Sequence, residues 1–135
     1  MRQWLEQLGF SVHRADGIAD SSRELRASAG AIISLAVSSS VSGSPTEIFE
    51  TVRREAPAIP VLFTGLMPFA TAASIVTRVA SATRLEVNVF DAAHLEEASY
   101  AVLGRPDTLL YLSKRDLDDA GGRRNCSAAL KRHFR

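Results

Sequence analysis

The chain holds a single cysteine, Cys126, in 135 residues, and that scarcity excludes two chemistries. No internal disulfide is possible, and no second Cys or His stands near it at a zinc-ligand spacing. A reducing cytoplasm is the natural setting for such a chain. No run approaches the roughly eighteen apolar residues of a membrane span. The first residues, Met1-Arg2-Gln3-Trp4-Leu5-Glu6-Gln7, carry an acid and two glutamines in place of an apolar leader segment. The expectation is a cytoplasmic protein with no membrane contact. Charge of one sign is lacking too: sixteen Lys and Arg against fifteen Asp and Glu leave a net +1, so no overall field draws in nucleic acid or lipid. Neither common glycine-rich phosphate loop is present, and Gly121-Gly122 reads as a flexible turn.

What is present is the composition of a globular chain, 46% hydrophobic and 23% charged. At this length one compact domain buries about two-thirds of its unfolded surface. Residues 1–103 carry the patterned part, and residues 104–135 supply a strand candidate followed by a basic tail. In that tail Arg123, Arg124, Lys131, Arg132, His133 and Arg135 read as a solvated terminus.

Trp4, Leu5 and Leu8 fall at helical spacing before Gly9, and Phe10-Ser11-Val12-His13 alternates as a short strand. Asp16-Gly17 turns the chain, and Asp20 or Ser21 caps a helix through Leu25. Residues 31–37 form an apolar run that suits a strand covered on both faces, and 38–43 form a loop. Ser44-Pro45-Thr46-Glu47 starts a helix whose stripe is Ile48, Phe49 and Val52, ending before Pro57. A second apolar strand runs over 59–65. A helix follows over 68–82 with Ile75, Val76 and Val79 inward, then a strand over 85–90. A helix from Ala92 or Ala93 to Leu103 turns Leu95, Ala98, Val102 and Leu103 inward, and Thr108-Leu109-Leu110-Tyr111-Leu112 is one more strand. Strands alternating with helices predict an α/β fold, a parallel sheet with helices on both faces.

Within this frame Ile32-Ile33-Ser34 leads into Leu35, Ser38-Ser39 stand three and four residues on, and Gly43 eight residues on. Glu50 to Gly65 ends in Phe63-Thr64-Gly65, and Val87-Asn88-Val89-Phe90-Asp91 comes after it. This arrangement over residues 1–103 resembles a response-regulator receiver domain, the flavodoxin-like module of two-component signal transduction. The resemblance implies that Leu35 fills the position of the phosphoacceptor aspartate and that Ser38-Ser39 replace Met-Pro. It also implies that Thr64 is the switch threonine, that Asn88 stands for the strand-end lysine, and that Phe90 is kept. Phosphoryl transfer to a carboxylate needs a nucleophilic Asp, acids holding a metal ion, and a cationic or hydroxyl donor. Of these only Thr64 is present. The resemblance therefore implies a receiver-like module that is not phosphorylated and not an enzyme, takes no metal or cofactor, and acts through a protein partner or as a homodimer. The family's partner face corresponds to about Phe69 to Leu103.

A receiver's first strand lies inside the sheet, and no such strand precedes the Met1 helix. Two alternatives stand open: Thr108 to Leu112 enters that slot, or the strand is missing and 105–135 form a loose tail. The chain is also similar to the N-terminal wing domain of the ornithine, lysine and arginine decarboxylases, through Arg26 to Leu35 and Val52 to Pro60. That likeness implies a non-catalytic assembly role. A third reading is a nucleotide- or flavin-binding domain, since open α/β sheets take ligands at their strand ends. Lys114 reads as solvated and Ser38-Ser39-Ser40 as a loop. His13, His94 and His133 are scattered, and Cys126 has no neighbour to activate it.

Overall fold

The computed structural model describes residues 1–13, 25–35 and 44–134. Two runs, Val61-Leu62-Phe63-Thr64-Gly65 and Thr108 to Ser113, are buried at every position, as strands covered on both faces must be. They are β2 (Val61–Gly65) and β4 (Thr108–Ser113), flanked by β1 (Ala31–Ser34) and β3 (Asn88–Asp91) in one all-parallel sheet of order β1-β2-β4-β3. The described helices are α1 (Arg2–Gln7), α2 (Pro45–Glu55), α3 (Phe69–Ser81) and α4 (Ala120–His133), with short 3-10 turns at Glu97–Val102 and Lys114–Asp118. The architecture is α/β, consistent with a flavodoxin-like three-layer fold. No described helix is long and apolar enough to cross a membrane.

The period-2 pleat sorts the central strands between two cores. Val61, Phe63, Leu109 and Tyr111 face α2 and α3, where Phe49, Val52, Ala72, Val76 and Val79 meet them. Leu62, Leu110 and Leu112 face the opposite layer of Leu5 from α1 and Cys126, Ala129 and Leu130 from α4. Ser44 caps α2 by accepting from the Glu47 N–H at 3.2 Å, with Pro45 in the first turn. The step from β1 through α2 to β2 and the step from β2 through α3 to β3 cross the same face in the same direction. The return from β3 to β4 runs backward across the other face, through Ala92, Ala93 and Leu103. Reversing both direction and face preserves the hand of the crossover, so the topology obeys the single-handed rule.

Several expectations need correction. Thr108 to Leu112 is a central strand, but its slot lies between β2 and β3, not beside β1 on the side of residues 10–13. Those residues are not a strand. The Phe10 N–H closes α1 on the Leu5 carbonyl at 3.2 Å, and Phe10 and Val12 pack on the α1/α4 core. Their alternation is satisfied by packing without a ladder. The helix expected over 92–103 shrinks to the 3-10 turn, and Ala98 is exposed. The Asp91 carboxylate accepts from the Ala93 N–H at 3.1 Å and the Asp91 carbonyl from the His94 N–H at 3.1 Å, which commits this stretch to a tight turn. The weakly patterned tail is α4, and Gly121-Gly122 lies in its first turn, with Asp119 accepting from the Gly122 N–H at 2.6 Å. Asp16-Gly17, Asp20 and Ser21 lie outside the described residues.

His133, expected in a solvated tail, is fully buried. Its Nδ1 accepts from the Gly104 N–H at 2.9 Å, and its Nε2 lies 3.0 Å from the Val61 carbonyl oxygen, which fixes the neutral tautomer with the proton on Nε2. Gly104 has a φ of 88°, a left-handed turn that suits glycine. The imidazole thus ties the last turn of α4 to the start of β2 and to the turn before β4. Burial pushes its pKa down to about 4; the bond to Val61 opposes that shift and the nearby Arg53 charge adds to it.

Candidate functional site

In an open α/β sheet ligands and partners meet the carboxyl ends of the strands where connections part to opposite faces. Here α3 follows β2 onto one face and α4 follows β4 onto the other, so the parting lies between β2 and β4. Ser34, Thr64 and Leu112 form one row across three strands. Leu35 continues β1 beyond that row, its N–H donating to the Thr64 carbonyl at 2.8 Å. Lys114 lies just beyond Ser113, which pairs with Gly65. Leu35, Thr64 and Lys114 therefore share the crest of adjacent strands.

This corrects the assignment of the neighbouring strand. The strand beside Thr64 is that of Tyr111 to Ser113, followed by the exposed Lys114, and not that of Asn88. Asn88 pairs with Thr108 at the opposite end of the sheet, four rows from Leu112, or about 13 Å along the strands. Phe90 pairs with Leu110 and packs against the α1/α4 core. Neither joins Thr64 at the crest. Ser38, Ser39 and Gly43 lie outside the described residues.

The side chains at the crest are mostly committed to holding the frame. Leu35 is 8% exposed and belongs to the core with Phe49, Phe63 and Tyr111. The Tyr111 hydroxyl donates to the Met67 carbonyl at 2.7 Å and pins the loop after β2. Burial raises its pKa, with the Asp116 and Asp91 charges acting the same way. Tyr111→Phe is expected to cost about 1 kcal/mol in urea unfolding and to speed amide exchange in residues 66–68; unchanged exchange there would show that the bond does not hold the loop.

Beside the crest His94 Nδ1 lies 2.9 Å from Asp91 Oδ2, which raises the imidazole pKa. The Asp116 carboxyl is raised by burial first and then by the Asp91 charge. Cys126 is buried and its thiol is pushed up to about 12 by that burial, which leaves it protonated and unreactive. Among the described residues no three His, Cys, Asp or Glu side chains converge to hold a metal ion.

Sequence reasoning missed the cleft that lies next to this cluster. It has a volume of about 330 Å³ and is walled by Phe69, Val89, Phe90 and Leu95, with Asp91, His94, Glu96 and Ser99 at its polar side. Leu66, in the loop after β2, is 63% exposed. The apolar spacing of 89, 90 and 95 carries the signal, but the same spacing fits a strand end running into the inner face of a helix. Comparison with known families, characterised proteins and solved structures finds no match to the chain.

Proposed function

We propose that the chain is a receiver-like regulatory module that is not phosphorylated and acts in the cytoplasm by binding a protein partner. The observation that carries this reading is the placement of Leu35. It stands at the end of β1, one row beyond the pairing of Ser34 with Thr64, and its side chain is packed into the core. Phosphoryl transfer to a protein side chain of this kind needs a carboxylate oxygen as acceptor, and a leucine offers none. A module that keeps the frame but lacks the acceptor conveys information through its surface. The exposed Leu66 and the apolar cleft beside Phe69 fall in or next to the region, Phe69 to Leu103, where the resemblance puts the partner face.

Incubation with radiolabelled acetyl phosphate tests the reading. The wild-type chain and Leu35→Asp are both expected to stay unlabelled, beside a phosphorylatable receiver as positive control. Label on the wild-type chain overturns the proposal; label on Leu35→Asp would show that the pocket lacks nothing but its acceptor. Circular dichroism of the variant checks that it stays folded, since a carboxylate placed in this core is costly.

A further inference from the structure

The reading of a protein-binding module leaves open how a partner is held. Resting on that reading, we infer that the outer edge of β3 takes up an extended, basic segment of a partner protein by strand addition.

Among the described residues β3 is the terminal strand of the sheet, hydrogen-bonded to β4 alone. The Asn88 N–H donates to the Asp107 carbonyl at 2.9 Å and the Ala92 N–H to the Tyr111 carbonyl at 2.9 Å. These bonds mark the even-numbered residues as the ones that face β4. Since the N–H and C=O of one residue in a parallel strand point the same way, both groups of Val89 and the N–H of Asp91 face outward. No described residue takes them. Natural edge strands are blunted by shortness, charge or proline; β3 is four residues long and its charges are acidic, with no Lys, Arg or Pro in Leu85-Glu86-Val87-Asn88-Val89-Phe90-Asp91 to repel a basic strand.

The surface along this edge is shaped for side chains. The cleft of about 330 Å³ is bounded by Phe69 and Val89 from the α2/α3 side and by Phe90 and Leu95 from the α1/α4 side. A hollow lined from both faces of a sheet lies at its open edge. A second hollow of about 460 Å³ continues along the same strand at Glu86, Val87 and Asn88, closed by Thr77, Ser81 and Asp107 among others. A backbone laid along Val89 would send alternate side chains toward these two hollows.

Charge selects the occupant. Glu86 and Asp107 line one hollow and Asp91 and Glu96 the other, where His94 pairs with Asp91 at 2.9 Å and leaves Glu96 free, and among the described residues no Lys or Arg lines either. A second copy of β3 laid antiparallel would set these acids against their own kind, which disfavours pairing. A strand alternating basic and apolar residues meets both the carboxylates and the apolar walls.

The probes are three synthetic octapeptides: alternating Lys and Val, alternating Glu and Val, and the Lys-Val sequence with its amides N-methylated. The readout is amide exchange followed by NMR on the intact chain. In the free protein Val89 and Asp91 are expected to exchange fast, and the Lys-Val peptide is expected to slow both by about tenfold. The N-methylated peptide leaves them unchanged. The double variant Glu86→Gln, Asp107→Asn is expected to weaken the Lys-Val peptide by about fivefold. The inference is overturned by any of four results: slow exchange of both amides in the free protein, protection that grows with protein concentration alone, equal protection by the Glu-Val peptide, or binding that leaves both amides unprotected. Those results do not touch the acetyl phosphate experiment, so the edge can fail while the regulatory-module reading stands.

Discussion

A chain ending at Leu103 is expected to lose cooperative folding altogether. β4 is paired on both flanks, with residues 61–65 on one side and 88–91 on the other. Without it, two rows of backbone donors and acceptors in the middle of the sheet have no partner, and each such group costs about 1–3 kcal/mol when buried. The truncation also removes Leu109, Leu110, Tyr111 and Leu112, all fully buried, together with Cys126, Ala129 and Leu130 of α4. Burial of one large apolar side chain stabilises by roughly 1.5–3 kcal/mol, so the loss exceeds the net stability of about 5–15 kcal/mol that a domain of this kind holds. Thermal unfolding followed by circular dichroism should show a cooperative transition for the full chain and none for the fragment. A sharp transition in the fragment would mean that residues 1–103 make a sheet of their own and that the strand order β1-β2-β4-β3 is wrong.

The second large effect is acid destabilisation through His133. Its folded pKa lies near 4, below the usual histidine value of 6.5, so between those values the unfolded chain binds a proton that the folded chain does not. Stability is therefore full above about pH 6.5. It falls as the pH drops toward about 4 and is level below that. One pKa unit corresponds to about 1.4 kcal/mol, which gives a loss of about 3 kcal/mol over the window. Asp116, whose carboxyl is raised mainly by burial, acts in the opposite direction, so the quantity to measure is a difference between variants. Urea unfolding at pH 7 and pH 4 is expected to show that His133→Gln is less stable than wild type at neutral pH and loses about 3 kcal/mol less on acidification. An NMR titration of the His133 ring in the wild-type chain gives an independent reading. An imidazole that titrates near 6.5 in the folded protein would refute the buried neutral tie.

Local signals in the sequence are readable where one residue type does one job. Ser44-Pro45-Thr46-Glu47 states a capped helix start, and the helix is there, with Phe49 and Val52 inward. The fully apolar runs at 61–65 and 108–112 state strands buried on both faces, and both are central. What such a run does not state is which strands it lies between. A buried strand needs two neighbours, but periodicity is silent on their identity, and the resemblance to receivers leaves 108–112 either next to β1 or in a loose tail. The same ambiguity hides that the neighbour of Thr64 is the strand ending at Ser113 and not the strand that starts at Asn88.

α4 is obscured by Gly121 and Gly122, each about 1 kcal/mol worse than alanine inside a helix. A Cβ on Gly122 would overlap the Asp116 backbone carbonyl, so close approach, not a turn, accounts for that glycine. The spacing of Cys126, Ala129, Leu130 and His133 does carry the helix, and all four are buried. Seeing it requires treating His133 as an inner residue in the middle of Lys131-Arg132-His133, against the ordinary preference of such a run for solvent. Leu35 is legible as an aliphatic residue at a strand end, but the cleft at the β3 edge is not, because it is made by residues twenty positions apart in sequence, Phe69 and Val89.

The sheet places between β2 and β3 a strand that comes after both of them in the chain, and this has a consequence for biosynthesis. On the ribosome the flanking strands emerge first and wait, with the gap between them open, until residues 108–113 clear the exit tunnel. Completion of the sheet is therefore tied to the last of its four described strands to be made. Until then the apolar side chains that β4 covers in the folded protein lack that cover.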